Sequence, residues 1–192
     1  LETLGLSPRK YLLLSAHREE NIDNQENFFS LMNAVNRIAE RYQMPVIYSM
    51  HPRSKKYIVQ RGFQFHPLVR SMEPFGFFDY NQLQKNSFCV LSDSGTLSEE
   101  SAILGFPGVL LRTSTERPEV LDKGTVVIGG IRGEDVERAI TLAVSMSENG
   151  EETVMAEDYA DTNVSVKVIK LIESYTKIVN ETVWLKRSEE AH

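Results

Sequence analysis

The feature that most restricts this fold is a regular alternation of short apolar runs with amphipathic stretches. Tyr11-Leu12-Leu13-Leu14-Ser15, Pro45-Val46-Ile47-Tyr48-Ser49 and Phe88-Cys89-Val90-Leu91-Ser92 are continuous apolar runs of strand length. A strand without polar alternation is one buried on both faces, as in parallel sheets covered by helices. Shorter runs at 68–70, 108–111 and 125–128 read as further strands. Between them the spacing predicts helices over 24–43, 54–60, 79–85, 96–104, 134–147 and 163–184. In the first of these, Phe28, Leu31, Met32, Val35, Ile38 and Ala39 fall on one side, the stripe of a core-facing helix. The alternation predicts an α/β chain: a Rossmann-like, doubly wound parallel sheet.

Composition narrows the class. The chain has 192 residues, 41% apolar and 25% charged, so it is long enough for one large domain and a sizeable core. Its net charge is −6, a poor match to nucleic acid or to an anionic membrane. The single cysteine, Cys89, excludes an internal disulfide and fits a reducing cytoplasm. No apolar stretch approaches the ~20 residues a membrane span needs, and no signal-peptide pattern is visible. Leu1-Glu2-Thr3-Leu4-Gly5-Leu6 reads as the tail of a helix closed by a glycine cap, so the chain looks cut from something longer.

In open parallel sheets, ligands bind beyond the carboxyl ends of the strands. Four such places carry polar groups that folding does not require. They are Ala16-His17-Arg18-Glu19-Glu20-Asn21, Met50-His51-Pro52-Arg53, Ser92-Asp93-Ser94-Gly95-Thr96 with Glu99-Glu100, and Arg112 through Glu119. The third is the most readable. Gly95 permits close backbone approach, and the amides opening the next helix favour a phosphate or diphosphate. Glu100, about one turn in, suits a ribose diol. The competing reading is that Asp93 and Ser94 cap the helix. His17 and His51, with Arg18 and Arg53 beside them, could donate to phosphate oxygens, or could be solvated or capping residues. Their spacing does not favour a metal site. Arg117 could touch substrate or pair with Glu116 or Glu119. Among Phe75, Phe77, Phe78 and Tyr80, some could flank a flat base, while at least two are expected in the core.

Three runs, taken in order, carry a resemblance: Ser15-Ala16-His17-Arg18-Glu19-Glu20-Asn21, Ser92-Asp93-Ser94-Gly95-Thr96 through Glu99-Glu100, and Thr115-Glu116-Arg117-Pro118-Glu119. They resemble the non-hydrolysing UDP-N-acetylglucosamine 2-epimerases, and the likeness runs on through Gly124-Thr125 over nearly the whole chain. The resemblance implies the C-terminal half of a GT-B type two-domain enzyme, with residues 1–192 as its UDP-binding Rossmann-like domain. It implies that Ser94, Gly95 and Thr96 hold the diphosphate, although the family has a second glycine where this chain has Thr96. Glu100 would hold the ribose hydroxyls, Phe75 and Tyr80 would frame the uracil, and Arg117 would contact the sugar or phosphate side. His17 would be the catalytic group beside the diphosphate, assisting departure of UDP. Arg18 and His51 match a second, regulatory UDP-sugar site of some bacterial members.

The implied reaction removes the C2 proton, eliminates UDP and adds both back with C2 inverted. Its acid and base carboxylates belong to the family's N-terminal domain, so this chain by itself would bind UDP weakly without epimerising it. No cofactor or metal is implied; the partners would be a UDP-sugar, the N-terminal domain and, at full length, a second copy in a homodimer. Pro74-Phe75-Gly76-Phe77 and the tail Val179-Asn180-Glu181-Thr182-Val183-Trp184 look most like a capsule and O-antigen branch that forms UDP-N-acetyl-L-fucosamine. The rival readings are a GT-B glycosyltransferase, a hydrolase using Ser94 and His17 without the Gly-x-Ser-x-Gly elbow, and a non-enzymatic nucleotide-binding regulator.

Overall fold

The structure is a computed structural model that describes residues 1–113, 126–150 and 155–186. Six strands form one parallel sheet: β1 (Leu12–Ser15), β2 (Val46–Ser49), β3 (Val69–Met72), β4 (Cys89–Ser92), β5 (Gly108–Leu110) and β6 (Val126–Ile128). Their order is β3-β2-β1-β4-β5-β6, the doubly wound arrangement expected from the alternation. The helices of the described residues are α1 (Glu19–Ile22), α2 (Gln25–Tyr42), α3 (Pro52–Gln60), α4 (Phe77–Asn86), α5 (Leu97–Leu104), α6 (Gly133–Glu148) and α7 (Val164–Thr182). The chain divides into two compact units, Leu1–Tyr159, which holds the sheet, and Ala160–His192, which holds α7.

The absence of polar alternation in the strands is explained by two cores, one on each face. Side chains alternate across a strand. Leu12 and Leu14, Val46 and Tyr48, and Cys89 and Leu91 enter one cluster with α2 and α6. Leu13, Ile47, Val90 and Leu110 enter the other with Leu83 of α4 and Leu97 of α5. Helix α2 buries Phe28, Leu31, Met32, Val35, Ile38 and Ala39, the predicted stripe. It starts where Asn24 accepts a hydrogen bond from the Asn27 amide at 3.0 Å. Helix α7 differs: Val168, Leu171, Ile172, Tyr175 and Ile178 along it are exposed.

Element boundaries shift by one or two residues from the sequence reading. Helix α3 begins at Pro52 rather than Ser54, because His51 caps it and Pro52 takes the first position, where its missing amide costs nothing. Helix α4 begins at Phe77 rather than Asp79, directly after the extended Gly76. Strand β3 runs to Met72, whose carbonyl accepts the Met50 amide at 2.9 Å. At the start of the chain, Glu2–Leu4 is a single 3-10 turn, and Gly5 closes it in the left-handed region (φ 60°), as the glycine cap predicted.

Cys89 sits in β4 with no exposure, and burial pushes its thiol from the ordinary 9.0 up to about 12. Between pH 9 and about 12 the unfolded thiol has lost its proton and the native one has not. The thiol therefore contributes stability below pH 9 that is lost as pH rises through that window. A thiol reagent at pH 8 is expected to leave the native chain unmodified and to titrate one thiol per chain in denaturant; prompt reaction of the native chain would contradict this burial.

Candidate functional site

The sheet order reverses between β1 and β4, so the loops leaving these two neighbours open a crevice. Their register, Ser15 opposite Ser92, brings the His17 loop against the Asp93 loop. Asp93 joins them. Its carboxylate is fully buried and accepts the backbone amide of His17 (3.0 and 3.1 Å), that of Arg18 (2.9 Å) and the side-chain amide of Asn21 (3.1 Å). Asn21 also donates to the Leu111 carbonyl at 3.0 Å, tying in the loop after β5. The capping reading of Asp93 and Ser94 is thereby corrected. The cap position of α5 is Thr96, whose side chain makes no cap hydrogen bond, and Asp93 is spent on the β1 loop.

The turn into α5 leaves an open donor end. The Ser94 amide donates to the Ser92 hydroxyl at 3.1 Å, and the Ser94 and Thr96 hydroxyls lie 3.0 Å apart. The amides of Gly95 and Thr96 have no acceptor among the described residues. Two unpartnered amides at a helix N-terminus form an anion site. Thr96 has φ −67° and ψ −15°, a conformation open to any residue, so this backbone does not require the family's second glycine. At Gly95 a Cβ would meet only the Arg18 guanidinium, 4.0 Å away, so the loop is open on its ligand side and a cation borders it.

The two histidines converge: their ring centroids lie 5.3 Å apart. His17 Nδ1 is 3.6 Å from Asp93 Oδ1, with the side chain 41% exposed. His51 also has the capping role, since its Nδ1 accepts the Arg53 amide at 3.1 Å. That bond places the ring proton on Nε2. Arg53 is ion-paired at this edge of the sheet. Its guanidinium is bound to Glu19 (2.8 Å) and Asp23 (3.4 Å) of the α1 segment. Arg18 and the nearly buried Arg112 share Glu20, each at 3.6 Å.

Phe75 and Tyr80 are half-buried against the second core, whereas Phe77 and Phe78 are exposed. Burial, and then the Glu100 carboxylate, push the Tyr80 hydroxyl above its ordinary range, which puts Tyr80 and Glu100 in one electrostatic neighbourhood. Glu100 accepts the side-chain amide of Gln84 at 2.5 Å. Asn21, Gln84 and the clasp role of Asp93 were missed by reading the sequence, because their partners lie 16 to 90 residues away and no spacing announces them. Arg117, with Thr115, Glu116, Pro118, Glu119 and Gly124-Thr125, lies outside the described residues. Among the described residues no three His, Cys, Asp or Glu side chains gather for a metal ion, and no helix is long and apolar enough to cross a membrane.

Comparison with known proteins names this arrangement. Residues 1–173 match the family model described as UDP-N-acetylglucosamine 2-epimerase. A UDP-N-acetylglucosamine 2-epimerase of Methanococcus maripaludis is 37% identical over 131 residues, 66% of this chain and 36% of that protein. The structure of UDP-N-acetylglucosamine 2-epimerase from Rickettsia bellii superposes with TM-score 0.76 at 32% identity, covering 96% of this chain and 50% of that one. The Methanocaldococcus jannaschii UDP-GlcNAc 2-epimerase, solved in complex with UDP-GlcNAc and UDP, superposes with TM-score 0.76 at 27% identity, covering 87% and 46%. The chain spans at most about half the length of these relatives. With its α/β parallel sheet matching that half, the chain belongs to the UDP-N-acetylglucosamine 2-epimerase family.

Proposed function

We propose that this chain is the UDP-binding, C-terminal half of a GT-B type, non-hydrolysing 2-epimerase that inverts C2 of a UDP-2-acetamido sugar. The observation that carries the reading is the open donor end of α5 at the sheet's switch point, with a carboxylate one turn along the same helix. The free amides of Gly95 and Thr96, with the Ser94 hydroxyl, bind the diphosphate. Glu100 accepts the ribose hydroxyls, and Phe75 and Tyr80 frame the uracil. Arg117 contacts the sugar or phosphate side. His17, steadied beside Asp93, donates to the departing diphosphate. The relative from Methanocaldococcus jannaschii, solved with UDP-GlcNAc and UDP, supports a nucleotide-sugar ligand.

In the reaction, a base from the other half takes the C2 proton as the bond from C1 to the diphosphate oxygen breaks. A C1–C2 double bond forms, and re-addition of proton and UDP inverts C2. Donors already in place stabilise the charge that develops on the diphosphate. Arg18 and His51 border the same crevice and would serve a regulatory UDP-sugar where one binds. Within the family, Pro74-Phe75-Gly76-Phe77 and the tail from Val179 to Trp184 favour the branch making UDP-N-acetyl-L-fucosamine for capsule or O-antigen, as a cytoplasmic homodimer at full length.

Calorimetry tests the binding half. The chain should bind UDP, and Glu100→Ala should weaken it about ten- to a hundredfold, since a hydrogen bond to a charged group contributes ~1.5–3 kcal/mol. No binding at millimolar UDP overturns the assignment. The full-length protein should place deuterium at C2 of its UDP-sugar in D₂O without any acceptor, and unlabelled sugar would exclude the epimerase chemistry.

Asp93→Asn tests the clasp. An amide set against two backbone donors leaves buried groups unsatisfied, so denaturant unfolding should show a loss of about 1–3 kcal/mol, and UDP affinity should fall with it. Unchanged stability and affinity would show that the loops hold without this carboxylate.

A further inference from the structure

Gln84 is the least expected buried side chain near the crevice. It lies in α4, has no exposure, and is one of only two residues of that helix classed as buried, the other being Leu83. Its Nε2 donates to Glu100 Oε2 at 2.5 Å. Only the nitrogen can face that carboxylate, because an amide oxygen so close to a carboxylate oxygen would be repelled. The consequence is that Gln84 Oε1 is buried without a partner among the described residues. A lone buried amide oxygen destabilises a fold, and a leucine or methionine would fill the same place without it. Stability alone therefore does not account for the residue.

What it accomplishes is orientation. A glutamate on a helix surface rotates freely about its terminal bond. Gln84 holds Oε2 of Glu100, which restricts that rotation and leaves Oε1 for a ligand. Tyr80, one turn earlier on the same helix, lies on the same face, and its hydroxyl responds to the Glu100 charge. Helix α4 thus brings the aromatic side chain and the amide to the carboxylate together.

We infer that Gln84 is a positioning residue for nucleoside recognition. It fixes the Glu100 carboxylate so that both hydroxyls of a ribose are accepted, and it thereby sets the preference for a ribonucleoside diphosphate over its 2′-deoxy counterpart. This rests on the UDP reading above and adds to it a residue that never touches the ligand.

The test is calorimetry of the full chain with UDP and with 2′-deoxy-UDP, for the native sequence and for Gln84→Met and Gln84→Leu. The native chain should prefer UDP. Both substitutions should raise the Kd for UDP about tenfold and that for 2′-deoxy-UDP less than twofold, so that the preference collapses while thermal stability holds or rises. If one variant does not fold, the other carries the result. A preference left intact, or an equal loss for both nucleotides, overturns the inference, since a merely structural role would move the two together. The underlying reading fails separately: a native chain that binds neither nucleotide removes both claims. Loss of the preference in Glu100→Ala but not in the Gln84 variants removes only the positioning role.

Discussion

Everything at the crevice depends on one buried carboxylate. Two parallel strands that are neighbours in space but 77 residues apart in sequence end side by side, and their loops then diverge to opposite faces of the sheet. The strand ladder ends where the Asp93 amide donates to the Ser15 carbonyl at 3.2 Å. Beyond that point the Asp93 side chain joins the loops, by accepting two consecutive backbone amides and one side-chain amide from the β1 loop while remaining inaccessible to water. A buried carboxylate is costly unless its lone pairs are occupied, and here four hydrogen bonds occupy them. Asn21 extends the join to β5. The loops are fixed before any ligand arrives, which is what a site that must act on developing charge requires.

Because Asp93 is committed to the β1 loop, it does not cap α5. This leaves the amides of Gly95 and Thr96, at the entry to that helix, without an acceptor among the described residues. Structural and functional roles are thus divided between adjacent residues. Asp93 is buried and builds, and the more exposed Ser94, Gly95 and Thr96 are the residues proposed to bind. Had Asp93 or Ser94 capped the helix, the anion site would have been occupied by the protein's own oxygen.

The architecture was legible because it is written in local periodicity. The α2 stripe and the unbroken apolar strands each specify an element within a few residues. Loop chemistry was partly legible: Gly95 and the helix entry pointed to donors at the end of β4, and the amides of Gly95 and Thr96 have no acceptor among the described residues. The shifts at α3 and α4 show where attention to Pro52 and Gly76 as helix openers would have sharpened the boundaries. The clasp and Gln84 were not legible, because a buried Asp or Gln acquires its meaning only from a partner on another strand or helix. Arg53 shows the same limit: its position after β2 suggested a phosphate donor, while its pairing with the carboxylates of Glu19 and Asp23 is visible only in the structure.

The charge balance of the crevice follows from the same pairings. Arg18 and Arg112 share Glu20, and Arg53 is held by Glu19 and Asp23. The chain as a whole carries −6, so long-range fields repel a diphosphate rather than draw it in. The attraction must then come at short range, from oriented amides and the α5 dipole, whose effect fades within the first turn. Such a site gains little from added positive charge at a distance and loses much from a small displacement of its backbone. At the proposed diphosphate site, binding strength would therefore be governed by how rigidly the β1 and β4 loops are held together, and the buried Asp93 carboxylate joins them.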